Sequence, residues 1–259
     1  MKKLWIYLRY LYEYLKFRDL ISVWSSITYL ANHTSYNRDR TIRTSIGTFH
    51  CRRNTNDFQF ANLMYEWSVK KFIFNEIKNH NVFIDQGACI GDYCILLSRS
   101  NIRCIAFEPM IDNYSVLLKN VQLNSCADRV QAFPFGLGEN NRQARFIFDP
   151  VNTGASRIDR DNRPESYPAE IRTFDSFLPE LNLSKQDKIL VKLDAEGMEP
   201  EAISGSEDFI RNYPNLTFVI EDKLTGDEMI RKRLSTYAIF EFGRVDEFNM
   251  FARKIGNLK

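Results

Sequence analysis

The chain has 259 residues, 44% of them hydrophobic and 26% charged, which is enough to bury a sizeable core and is ordinary for a globular protein. A net charge of +2 gives no basic field of the kind that tracks a phosphate backbone, so a nucleic-acid partner is not expected. The five cysteines, Cys51, Cys89, Cys94, Cys104 and Cys126, form no Cys-x-x-Cys pair and read as small hydrophobes of a reducing compartment.

Residues 1–18 place Leu4, Leu8, Leu11 and Leu15 at helical spacing among aromatics, with Lys2, Lys3, Arg9, Lys16 and Arg18 around them. Charges interrupt this stretch too often for a membrane span, and the uninterrupted apolar core of a signal peptide is missing. Two readings stand: a helix packed on its own domain or on a homodimer partner, and a basic-aromatic helix lying on a membrane surface. The expected organisation is an N-terminal helical extension over 1–55 and one main domain over 56–259, in the cytoplasm or at the inner face of its membrane.

Residues 57–80 carry an apolar stripe that predicts one helix before the first core strand. Residues 82–92 follow: an apolar run reaches Asp85, then Gly87 and Gly91, then a helix-like segment. Gly87 suits a backbone conformation that a Cβ penalises, and Gly91 lets a helix begin close to the strand edge. The pattern is not the Gly-x-Gly-x-x-Gly of a pyrophosphate-binding loop. A carboxylate ahead of the first glycine suits instead a ligand carrying an ammonium and hydroxyls, and S-adenosylmethionine (SAM) is such a ligand. Arg103–Glu108 reads as the next strand, with Glu108 at its tip in the position that accepts hydrogen bonds from ribose hydroxyls, and Pro109 stops it.

A helix is expected over 112–124, a third strand over 130–137 with Gly136 allowing close approach to a ligand, and another strand over 144–148. Residues 149–170 read as a long loop, a candidate substrate lid with Asn152, Thr153, Gly154, Ser156 and Arg157. Residues 188–199 then deliver Asp194 to the same rim, with Glu196 and Glu199 beside it around Gly197. Lys192, two residues before Asp194, faces the same side of its strand. The strand 216–220 ends in Glu221 and Asp222, and two hairpin strands fit residues 236–255.

Ile84–Tyr93, Phe107–Pro109, Asn120–Asn124, Thr173–Phe177, Val191–Glu199 and Ile220–Glu221, in that order, resemble the FkbM family of SAM-dependent methyltransferases. The block Lys192-x-Asp194-x-Glu196-Gly197-x-Glu199 accompanying the SAM motif is what makes the resemblance specific. Gln86 and Cys89 depart from the family pattern without removing a carboxylate or a glycine. The resemblance implies an α/β class I methyltransferase (Rossmann-like) fold, a doubly wound, seven-stranded, mostly parallel sheet ending in an antiparallel hairpin. It implies SAM at Asp85, Gly87, Ala88, Gly91, Glu108, Pro109 and Gly136, and O-methylation of a sugar hydroxyl in a glycan or glycoconjugate. A non-sugar natural product as acceptor, and a SAM-binding scaffold without turnover, remain as alternatives.

A sugar hydroxyl needs a base or a divalent cation to become a nucleophile. His33, His50 and His80 lie in no motif, so a carboxylate is the better base. The expected catalytic set is Asp194, with Glu196 and Glu199 as supports or alternates, and Lys192, which either holds Asp194 ionised or is a paired structural lysine. Asp194, Glu221 and Asp222 are also a candidate Mg2+ site of hard oxygen donors, set against the plainer reading of acids that hold loops through backbone N–H groups.

Overall fold

The computed structural model describes residues 2–161 and 163–258, with side chains from Leu4 onward. In chain order the elements are α1 (Lys2–Lys16), α2 (Leu20–Asn32), β1 (Arg40–Arg43), β2 (Thr48–Cys51), α3 (Asp57–Phe60), α4 (Trp67–Glu76), β3 (Val82–Gln86), α5 (Asp92–Ser98), β4 (Arg103–Phe107), α6 (Ile111–Leu123), β5 (Val130–Phe133) and β6 (Gly136–Leu137). There follow β7 (Arg142–Ile147), β8 (Arg157–Ile158), β9 (Tyr167–Arg172), α7 (Phe174–Phe177), β10 (Ile189–Leu193), α8 (Glu199–Ser204), α9 (Glu207–Asn212), β11 (Leu216–Glu221), α10 (Asp227–Ser235), β12 (Ala238–Arg244) and β13 (Asn249–Asn257).

Every residue of β3 and β10 is buried, because these central strands are covered on both faces. Alternation divides their side chains between two cores. Phe83, Ala106, Leu190 and Val219 face α4, α5, α6 and the N-terminal segment, while Ile84, Ile105, Val191 and Ile220 face α7 to α10. The strand order is β12-β13-β11-β10-β3-β4-β5, parallel from β11 through β5, with β13 antiparallel to both β11 and β12. This is the class I methyltransferase architecture that the resemblance implies. The strand order reverses between β10 and β3, and a crevice at such a reversal is where open α/β sheets bind ligands.

Four local expectations are corrected. The extension before residue 56 contains the hairpin β1–β2 as well as two helices, and its Tyr14, Ile42, Ile46 and Phe49 belong to one of the two main cores. The single helix over 57–80 is two helices, separated by a turn in which Glu66 adopts φ +49°. The strand over 130–137 breaks at Pro134, which has no N–H to donate, and its second half pairs with β9 in a separate four-stranded sheet of order β6-β9-β7-β8. The loop over 149–170 ends in β9, whose Ala169 and Ile171 are buried under that sheet.

Candidate functional site

The carboxyl ends of β3, β4, β10 and β11 open into one cleft of about 1150 Å³ including its solvent-open mouth. Its floor depends on Gly87. A Cβ there would lie 1.9 Å from the Asp194 carbonyl oxygen, and φ is +89°, so only glycine lets these two loops touch. Gly91, at φ +82°, heads α5 and packs against Leu117, outside the cleft lining. Ala88, Pro109 and Gly136 line the wall.

Two buried acids stand at one end of the cleft. Glu108 accepts from the backbone N–H groups of Cys89 at 2.8 Å and Met110 at 2.9 Å, and burial pushes its carboxyl up to about 7. Asp85 is fully enclosed. Its Oδ1 has no partner, its Oδ2 meets only the Cys94 thiol at 3.8 Å, and burial raises its carboxyl to about 7. A buried carboxylate oxygen with nothing to accept from is costly, and this one lines the cleft.

At the other end lies a second cluster. Asp194, Glu196 and Glu221 each bring a carboxylate oxygen to within 4.8 Å of the others. Glu196 sits at φ +47° ahead of Gly197 at φ +95°, a left-handed pair that turns the chain back toward the cleft. Burial, with Asp194 as the next cause, raises Glu196 to about 7 and Glu221 to about 8. Lys192 Nζ lies 2.8 Å from Asp194 Oδ2 and 5.0 Å from the centre of the Tyr93 ring. Burial opposes its charge, but Asp194, Glu66 and Asp85 around it outweigh that and hold its ammonium well above the usual lysine range.

Glu199 and Asp222 are turned elsewhere. Glu199 accepts from the N–H groups of Ala195 and Gly197, both at 3.0 Å, and so holds the loop that carries Glu196. Asp222 pairs with Arg244 through both its oxygens. The expected metal trio is therefore not assembled; Glu196 stands where Asp222 was expected. Asn152, Thr153, Gly154 and Ser156 of the expected lid reach the cleft, whereas Arg157 is exposed on β8. The lid is strapped down: the Thr153 N–H donates to Asn56 Oδ1 at 3.0 Å, its hydroxyl to Asp57 at 2.9 Å, and Asn113 donates to its carbonyl at 2.9 Å.

Sequence reasoning missed Glu66, Tyr65 and Lys70. Glu66 accepts the Tyr93 hydroxyl at 2.8 Å, and burial raises its carboxyl. Lys70 Nζ, fully buried, lies 3.2 Å from Asp92 Oδ2 and donates to the Tyr65 carbonyl at 2.9 Å. The left-handed turn that swings Glu66 into the cleft carries no glycine or proline to announce it.

A comparison with curated proteins finds no match. Solved structures with a similar fold include a putative O-methyltransferase from Klebsiella pneumoniae, at 10% identity over 78% of this chain and 80% of that one, with TM-score 0.38. An O-methyltransferase from Bacillus cereus in complex with SAH aligns at 11% identity over 71% and 77%, with TM-score 0.40. A precorrin-6y C5,15-methyltransferase from Geobacter metallireducens aligns at 16% over 68% and 81%, with TM-score 0.39. The sequence model of the Methyltransferase FkbM domain matches residues 85–249. With well over half its length matched, from Asp85 at the tip of β3 to the start of β13, the chain belongs to the FkbM family of SAM-dependent methyltransferases.

Proposed function

We propose that the protein methylates a hydroxyl of a sugar unit in a glycan or glycoconjugate, and that Glu196 and Glu221 take the hydroxyl proton. The observation that carries this is the cluster of Asp194, Glu196 and Glu221 at the cleft, with two of its carboxyls raised to about 7 and about 8. A base works best when its pKa lies near the working pH. Asp194, committed to Lys192 at 2.8 Å, is the fixed member that positions the pair, so the proton-accepting role moves from Asp194 to its neighbours. SAM supplies a sulfonium methyl group, held at the Asp85 and Glu108 end. The chain's own task is to align the acceptor oxygen with that carbon and receive its proton. The new C–O bond forms as the C–S bond breaks, and its electron pair stays on sulfur. The acceptors crowded around the mouth suit a polyhydroxyl group, and Tyr65, Phe60 and Phe146 offer apolar faces.

The test is a screen of glycoside and glycolipid acceptors for S-adenosylhomocysteine (SAH) release. Glu196→Gln and Glu221→Gln are each expected to lower kcat by about 10²-fold or more while leaving SAH affinity within about twofold. Turnover confined to non-sugar hydroxyls would refute the sugar assignment. Undiminished turnover in both variants would refute the base assignment.

A second reading places Mg2+ on the same three carboxylates. Their oxygen donors and mutual spacing favour it. Against it, Lys192 already occupies one Asp194 oxygen and Asp222 is committed to Arg244. Full activity in excess EDTA would eliminate the metal; loss restored by Mg2+ would establish it.

A further inference from the structure

Helix α2 is built inside out. Its buried side chains are Ser22, Ser25 and Ser26, while Leu20, Ile21, Trp24, Ile27 and Leu30 are exposed, Trp24 by 66%. A helix packed on a globular domain normally does the reverse. Val23 and Tyr29 alone lean on the core. α1 adds exposed Leu4, Trp5, Tyr7, Leu8, Tyr12 and Leu15, so these two helices hold eleven of the twenty-one large hydrophobics exposed among the described residues. That concentration marks a contact surface rather than scattered apolar positions.

The exposed charges of α1 and of the turn that follows it have one sign among residues 4–19. Arg9, Lys16 and Arg18 are exposed, whereas the two acids of the segment are withdrawn: Glu13 is buried against Ser45, and Asp19 is paired with Arg40 at 2.7 Å. α2 carries no charged residue at all. An apolar groove between the helices, lined by Tyr7, Leu11, Ile27 and Leu30, ends at Tyr65 and Glu66, which also line the cleft.

We propose that the α1–α2 face docks on an anionic lipid bilayer and thereby sets the Tyr65–Glu66 edge of the cleft at the lipid surface. The apolar side chains enter the acyl boundary, and the basic residues meet the headgroups. Trp5 and Trp24 take the interfacial level that suits an amphipathic ring. A second copy of the chain is the poorer occupant, because an isologous contact brings two copies of the same positively charged segment together with no exposed acid of that segment to offset them. No helix among the described residues is long and apolar enough to cross the membrane, so the contact is with the surface. The docking is independent of the sugar assignment, and its test uses no acceptor.

The full-length protein is sedimented with vesicles of phosphatidylcholine alone and of phosphatidylcholine with phosphatidylglycerol. Binding is expected to be about a hundredfold tighter to the anionic vesicles, from three basic residues, and to weaken with salt. Ile21→Glu with Trp24→Glu should abolish it, while Ile255→Glu, an equally exposed apolar site on β13, should not. SAH binding retained by the double variant shows that the fold is intact. The protein has three tryptophans, and brominated lipid chains should quench the wild type but not a Trp5→Phe, Trp24→Phe variant that retains only Trp67. No sedimentation, equal loss in the Ile255 control, or quenching of Trp67 alone would overturn the proposal. So would self-association in ultracentrifugation that the double variant abolishes, without lipid binding.

Discussion

Asp85→Asn should make the ligand-free protein respond differently to pH, and the size of the difference follows from burial. The folded state holds the Asp85 carboxyl at about 7 against an ordinary value of 3.8. The folded form therefore binds this proton more tightly than the unfolded form. Stability from this group is intact below about pH 4 and lost as pH rises toward 7. Integrating between those limits gives a cost of about 2 kcal/mol at pH 5 and about 4 kcal/mol at pH 8. Asparagine does not titrate, so it removes that pH dependence whatever its own contacts are. Its unmet amide donors cost about 1–3 kcal/mol at either pH. The stability of the variant relative to wild type should thus rise by about 2–3 kcal/mol between pH 5 and pH 8, turning from near neutral or destabilising to stabilising. Urea unfolding of the ligand-free proteins at the two pH values measures this. A variant offset that is the same at both pH values would refute the argument that an enclosed, unpartnered carboxyl governs it. The variant should also lose SAM affinity while gaining stability, the trade expected where a strained group serves a ligand.

Gly87→Ala should fail to bind SAH in titration calorimetry and lose more than about 3 kcal/mol, since a Cβ 1.9 Å from a carbonyl forces β3 and β10 apart at a positive φ. Lys192→Met leaves Asp194, Asp85 and Glu66 without their shared cation; a loss of about 3–5 kcal/mol at pH 8 and a smaller one at pH 5, measured by urea unfolding, is expected. Asn56→Ala removes the partners of the Thr153 N–H and of Asn152, so hydrogen exchange across 151–156 should quicken while exchange in β3 does not change. SAM binding should release protons near pH 7 as Asp85 and Glu108 ionise, and the heat of binding should therefore vary with the ionisation enthalpy of the buffer.

The central strands were legible because strands buried on both faces are continuous apolar runs, and Asp85, Glu108 and Asp194 were legible because each ends one. Asp222 was not, although the signal was present: adjacent residues leaving a strand point to opposite sides, so Glu221 and Asp222 could not both face Asp194. Pro134 was likewise a visible reason to end β5. Glu66 had no such signal, since its apolar flanks continue a helical stripe and only the tertiary hydrogen bond from the Tyr93 hydroxyl accounts for where a left-handed glutamate points. Strands β8 and β9 hid in polar composition because they pair in a small sheet with a single buried side. The outward apolar face of α2 is a separate case: the residues were plain in the sequence, but which side they faced depends on three buried serines.

The cleft is strongly one-signed although the chain is nearly neutral. Glu66, Asp85, Asp92, Glu108, Asp194, Glu196 and Glu221 line it, against Lys192 and Lys223. Seven acids face two lysines in a partly closed space, and burial, with neighbouring acids adding to it at Asp85, Glu196 and Glu221, holds four of them at about 7 to 8. A ligand that carries a sulfonium and an ammonium against one carboxylate has a net positive charge to offset them. The same excess of acid therefore favours the methyl donor over a neutral nucleoside, and under the proposed function the raised carboxyls at the Glu196–Glu221 end are the ones left to take a proton from an alcohol.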